Sequence, residues 1–242
     1  MNEYNYTISL AGIPFELKCR YAYEMLKEFR TGEKPNEIIA VKADSRSILQ
    51  RYAAGREMES PQSAEYIQLI GEVGSALLKY KRCIFHGAAF IWHGKAWIFT
   101  APSGTGKTTQ YALWKLRYGE ELSILNGDKP ILEFSENGKI IVHPSPWRGK
   151  ENMGTMCSAP LGGIILLRQG KENRVRELPP SMSALPLFLQ FLFLIDKEEN
   201  VDRVCALETE LLKNCPVWEL TNRGDEASAK LMHDTLLNWE KQ

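Results

Sequence analysis

The sequence is short of nearly every feature that would assign a role by composition alone. It has no excess of charge, with 30 Lys and Arg against 30 Asp and Glu. No global field therefore draws in nucleic acid or an anionic membrane, and any anion must be held locally. Its five cysteines, Cys19, Cys83, Cys157, Cys205 and Cys215, are odd in number and form no C-x-x-C pair. With no signal-like start, free buried thiols in a reducing cytoplasm are expected. The four histidines, His86, His93, His143 and His233, lack zinc-ligand spacing among themselves or with the cysteines. No apolar run is long enough to span a bilayer. The most apolar stretch, Leu185–Ile195, contains Pro186 and Gln190 and reads as a buried helix or a subunit contact. Repeats and low-complexity tracts are also absent. A chain of 242 residues is long enough to bury a core as one large domain, or as a domain with a subdomain.

What is present centres on Ile98–Trp114, reading IFTAPSGTGKTTQYALW. The apolar residues Trp97, Ile98 and Phe99 predict a buried strand. A turn follows, Ser103-Gly104-Thr105-Gly106-Lys107-Thr108-Thr109, and then a helix with Ala112, Leu113 and Leu116 on one face. Strand, glycine turn and helix in that order is the context in which a phosphate-loop string has physical meaning. Gly104 and Gly106 let main-chain N–H groups turn inward at a helix N-terminus, where the dipole also favours an anion. Lys107 is placed to reach the β and γ phosphates of a nucleotide, and the Thr108 hydroxyl to ligate the accompanying Mg²⁺. Ala101 stands where the usual string carries its first glycine.

Before this loop, residues 5–20 alternate as two strands around Gly12-Ile13-Pro14, and Tyr21–Phe29 predicts a short helix. Glu37–Val41 predicts a strand. Ser60-Pro61 predicts the start of a helix that places Ile67, Ile70, Val73, Leu77 and Leu78 on one stripe. No catalytic grouping is visible before residue 80. Residues 1–80 are therefore expected to form an N-terminal α+β subdomain, and residues 81–242 an α/β catalytic domain. Ile84–Trp92 and Lys95–Thr100 form a hairpin through His93-Gly94, which predicts a mixed sheet. Beyond the loop helix, which stops at Gly119, Leu122–Leu125 is a strand running into Asn126-Gly127-Asp128-Lys129. A second hairpin joins residues 131–134 and 139–142, Gly163–Leu167 is a buried strand, and helices at 182–195, 201–213 and 225–240 surround a last strand, Val217–Leu220.

The run His86-Gly87, hairpin, Gly94, apolar strand and Ser103-Gly104-x-Gly106-Lys107-Thr108 resembles the catalytic domain of HPr kinase/phosphorylase. The string from Ser103 to Thr109 also resembles ATP-dependent phosphoenolpyruvate carboxykinase, which shares that nucleotide-binding core. Gly127-Asp128 is similar to the strand-end carboxylate of both families, and Trp147-Arg148-Gly149 to the Arg-Gly segment of the HPr kinases. The likeness covers residues 84–150. It implies a mixed-sheet phosphate-loop kinase core, ATP and Mg²⁺ as cofactors, and assembly into a homo-oligomer. It departs in two places. Lys129 stands where both families carry a second, metal-binding Asp, and Pro146 and Trp147 replace the acid before Arg-Gly. These departures fit the shorter HPr-kinase-like proteins better, among them lasso-peptide-type serine kinases that modify a ribosomally made peptide.

The expected site follows. Ser103, Gly104, Thr105, Gly106, Lys107, Thr108 and Thr109 bind the triphosphate, and Thr108 with Asp128 holds Mg²⁺. Asp128 takes the substrate proton, His86 joins the active site and Arg148 steadies the phosphoryl oxygens, with Lys150 and Glu151 as weaker candidates and Trp147 as packing. The expected reaction is γ-phosphate transfer from ATP to a hydroxyl, with a Ser or Thr of a peptide or protein as the acceptor. The alternatives are a small-molecule alcohol or enolpyruvate-type acceptor, and a nucleotide-sensing module without catalysis.

Overall fold

Alternating side chains at the N-terminus build a small sheet. In the computed structural model, which describes residues 4–40, 61–102 and 104–241, β1 (Tyr4–Leu10) and β2 (Ile13–Cys19) pair antiparallel with Leu10 opposite Ile13. The turn is Ala11-Gly12, both at positive φ, so Ile13 and Pro14 belong to the strand and not to the turn. β3 (Glu37–Ala40) adds parallel to β2; Val41, the expected last residue of this strand, lies outside the described residues. The helix expected over Tyr21–Phe29 is a single turn, Tyr23–Leu26, followed by a 3₁₀ turn, Lys27–Phe29. Buried Glu65 organises that turn by accepting the amides of Arg20, Tyr21 and Ala22 at 2.7, 2.7 and 2.9 Å. Glu65 lies on the helix Pro61–Leu78, whose expected cap, Ser60, is outside the described residues.

The second sheet is mixed and ten-stranded. The apolar run expected as one strand over Ile84–Trp92 is two, β4 (Arg82–Phe85) and β5 (Ala88–Trp92), broken at His86-Gly87. They have different partners. β5 forms the expected hairpin with β6 (Lys95–Thr100), its His93-Gly94 turn at φ 50 and 72, the left-handed pair of a type I′ turn. β5 also pairs antiparallel with β7 (Ser123–Asn126). β4 pairs antiparallel with β8 (Ile131–Phe134), and β8 with β9 (Ile140–His143).

The 11-residue strand β10 (Ala159–Gln169) joins the two sets. Ala159 and Pro160 pair antiparallel with β9, and from Leu161 the strand runs parallel to β6, with a register shift between Leu161 and Gly163. Ile164–Gln169 also run parallel to β13 (Val217–Asn222). An unanticipated strand, β11 (Arg174–Glu177), covers β13. The helix expected over 182–195 ends at Phe188. Phe191–Leu192 then form β12 against β4, leaving Leu185, Leu189 and Ile195 exposed. Helices Glu198–Asn214 and Glu226–Glu240 complete the chain.

The helix after the glycine turn spans Lys107–Tyr118 and buries a different face from the one expected. Gln110, Tyr111 and Trp114 are inside, whereas Leu116 is 73% exposed. Trp114 meets Phe90, Trp92 and Phe99 at ring separations of 5.1, 5.8 and 5.9 Å, and aromatic burial of that size outweighs one leucine. Cys19, Cys83 and Cys215 are buried, but Cys157 and Cys205 are exposed. Among the described residues no helix is long and apolar enough to cross a membrane.

Candidate active site

β6 ends at Thr100, whose buried hydroxyl donates to the His86 carbonyl at 2.7 Å. The chain then turns, with Gly104 at φ +80 and Gly106 at φ +108, values that side chains with a Cβ rarely adopt. Gly106 is the helix N-cap, and its carbonyl accepts the Gln110 amide at 2.9 Å. The amides of the first turn have no intrahelical acceptor, and that turn carries no acidic residue to satisfy the positive end of the dipole. Ser103 lies outside the described residues.

A cleft of about 610 Å³ opens over this turn, with Gly104, Gly106, Lys107, Thr108 and Thr109 along one side. His86, Gly127, Asp128, Lys129, Tyr66 and Gly149–Glu151 line the same cleft. Two of these groups sit where the chain passes between the strand sets: His86-Gly87 links β4 to β5, and Gly127–Pro130 links β7 to β8. A hydrogen bond ties the crossings together, from the Gly87 amide to the Asp128 carbonyl at 2.8 Å. Fully buried Asn126 fixes the second crossing. Its side-chain oxygen accepts the amides of Asp128 and Lys129 at 3.0 and 2.8 Å, while its nitrogen donates to Ser145.

The Asp128 carboxylate uses both oxygens. Oδ2 pairs with the Lys129 ammonium, and Oδ1 lies 3.6 Å from His86 Nε2. The tautomer of His86 follows from its other side. Gln190 Nε2 donates to the Pro186 carbonyl, so Gln190 Oε1 is the group 3.1 Å from His86 Nδ1, and Nδ1 must carry the proton. In neutral imidazole the Nε2 lone pair then faces Asp128. Burial and the nearby Lys107 hold the His86 pKa below its usual 6.5, against the opposing pull of Asp128. At neutral pH this contact is therefore not an ion pair. Burial also lowers the pKa of Lys107, opposed by Asp128 and reinforced by Lys129; its ammonium donates to the Ala101 carbonyl at 2.9 Å. Burial, with the Asp128 charge, raises the Tyr66 phenol and keeps it protonated.

The residues picked out by sequence are distributed unevenly. His86, Gly104, Gly106, Lys107, Thr108, Thr109 and Asp128 meet in the one cleft, as do Lys150 and Glu151. Thr105 lines neighbouring clefts, including one of about 310 Å³ on the far side of the turn. Arg148 does not line this cleft; its guanidinium bonds Glu28 at 2.7 Å and lies 5.8 Å from the Phe29 ring centroid. Trp147 is fully buried packing. Tyr66 went unseen because it stands within an apolar helical stripe, and no local string marks its outward turn.

Magnesium takes oxygen ligands and keeps several waters. The Thr108 hydroxyl and the Asp128 carboxylate are of that kind and border the same cleft, so the donor chemistry fits. Among the described residues no group of three or more His, Cys, Asp or Glu converges. A magnesium ion here would draw its remaining ligands from phosphate and water, and would compete with Lys129 for Asp128.

These features define a mixed α/β protein with a cleft that opens at a helix N-terminus and is lined by lysines and carboxylates. No family model matches the sequence, and no curated protein matches it. Among solved structures, the chain is similar to the Hpr(Ser) kinase/phosphatase from Coxiella burnetii, with a TM-score of 0.37 at 10% identity, over 65% of this chain and 95% of that one. The likeness is distant, and no residue role is carried over from it.

Proposed function

We propose that this chain is an ATP- and Mg²⁺-dependent kinase that transfers the γ-phosphate to a hydroxyl, with a Ser or Thr of a peptide or protein as the acceptor. The observation that carries the reading is one cleft shared by a glycine turn at a helix N-terminus, three lysines (Lys107, Lys129 and Lys150), and a carboxylate facing a neutral imidazole. Amides of the 104–109 turn and Lys107 hold the triphosphate, and Thr108 with Asp128 holds the metal, which supplies charge neutralisation at the phosphates. The acceptor oxygen bonds to the γ-phosphorus as the β–γ bridging P–O bond breaks and ADP leaves. The hydroxyl proton passes to Asp128, with His86 Nε2 beside it. Proton acceptance of this kind contributes about 10²–10⁴-fold, and charge stabilisation by fixed donors contributes the larger share. Arg148, paired with Glu28, has no part in this scheme. The peptide acceptor is supported by the departures at Lys129 and at Pro146-Trp147, which fit the shorter HPr-kinase-like proteins.

The test is incubation with γ-labelled ATP and, separately, a Ser/Thr peptide panel, small alcohols with pyruvate, or no acceptor. Label on peptide supports the proposal; label on a small molecule assigns a metabolite kinase. A specific observation favours a second reading. The Lys129–Asp128 pair occupies the only described carboxylate beside the glycine turn apart from Glu151, as a nucleotide sensor without turnover would. Tight ATP binding with label on nothing would select it.

A further inference from the structure

Lys129 has no counterpart in the scheme above, yet its main chain is held on both sides. Its amide is shared by Asn126 Oδ1 at 2.8 Å and the Trp147 carbonyl at 3.1 Å, and its own carbonyl accepts the Ser145 hydroxyl. The backbone is thus fixed from both faces. The Lys129 side chain is 16% exposed, paired with Asp128, and its ammonium stands 5.6 Å from the centre of the Tyr66 ring, an aromatic face that favours a cation. Lys107 lines the same cleft and senses the charges of both Lys129 and Asp128. A polyphosphate entering over the glycine turn therefore meets ammonium groups from two directions. A divalent ion bound to Asp128 alone would face the repulsion of Lys129.

Resting on the nucleotide reading above, we infer that Lys129 is a resident cation of the phosphate site, neutralising Asp128 before nucleotide binds and turning to the terminal phosphates afterwards. It replaces the charge of a second divalent ion. The site therefore takes one metal ion with ATP, and it retains measurable affinity for ATP without metal.

The test is ATP binding by calorimetry in EDTA and across a Mg²⁺ series, with Mn²⁺ bound per chain in the ATP complex counted by electron paramagnetic resonance. The wild type should bind ATP in EDTA and one Mn²⁺ per chain with it. Lys129→Met should weaken ATP binding in EDTA about tenfold or more, the loss of one charged contact, and weaken it less in saturating Mg²⁺. Lys129→Arg should restore the EDTA affinity, separating charge from folding. Lys129→Asp should bind a second Mn²⁺. Equal EDTA affinities for wild type and Lys129→Met, or two Mn²⁺ per wild-type chain, would overturn the inference while leaving the kinase reading intact. A wild type that binds no ATP under any condition removes both.

Discussion

Replacing Lys107 by alanine removes the ammonium nearest the glycine turn, and the consequence can be worked through. In the structure that ammonium's hydrogen bond is to the Ala101 carbonyl at 2.9 Å, so the nucleotide-free protein loses about 0.5–1.5 kcal/mol at most. Part of that is offset, because burial already disfavours the charged form. Against a triphosphate the same group makes charge-assisted contacts worth about 1.5–3 kcal/mol, or roughly ten- to a hundredfold in affinity. At an ATP concentration about 100 times Kd, the wild type gains about 2.7 kcal/mol of stability from binding. A hundredfold weaker variant at that concentration gains about 0.4 kcal/mol. At roughly 2–4 °C per kcal/mol for a domain of this size, the Mg²⁺-ATP melting shift should fall from about 5–11 °C to about 1–2 °C. Differential scanning fluorimetry with and without Mg²⁺-ATP reads both numbers from one sample. A Lys107→Ala protein with the wild-type shift would refute the placement of phosphates over this turn.

Asp128→Asn should cut phosphoryl transfer at least ~100-fold in protein that still binds ATP; undiminished transfer in a γ-label assay would move the proton to another group. Burial lowers the pKa values of both His86 and His143 below 6.5, so the unfolded chain binds more protons than the native one at and just below that pH. Their contribution to stability is therefore complete above pH 6.5 and is lost as pH falls. Melting temperature should decline from pH 7.5 to 5, less steeply in a His143→Gln protein, and identical slopes would contradict the assignment. A Cβ on Gly87 would stand 2.5 Å from Ile98 Cγ2 and 3.1 Å from the Phe99 carbonyl. Gly87→Ala should accordingly cost about 1–3 kcal/mol in urea unfolding, and an unchanged midpoint would show that the β4–β5 crossing is looser than drawn.

The glycine turn and its flanking strand and helix are legible because their chemistry is local: two glycines, a lysine and a following helical period within a dozen residues. The mixed sheet is legible for the same reason, through the His93-Gly94 turn. What escapes the sequence depends on partners far along the chain. Arg148 bonds Glu28, 120 residues away, and no spacing rule links them. The break at His86-Gly87 is hidden because both flanking segments are extended and apolar, and only their different partners, β8 and β6, separate them. The helix ending at Phe188 stops short of the apolar run because Gln190 turns its amide to Pro186 and His86, and the next residues pair with β4. Aliphatic residues alone point to the wrong face of the Lys107–Tyr118 helix, where buried Trp114 sets the rotation.

One consequence lies in β10. Its first residues belong to the antiparallel set and the rest to the parallel set, with a register shift just inside the parallel part. His86 and Asp128 stand on chain segments that bridge those same two halves, while Lys107 belongs to one half alone. A small shear along β10 would alter the gap between lysine and carboxylate without displacing either from its own support. The width of the crevice is in this way geared to the pitch of a single long strand.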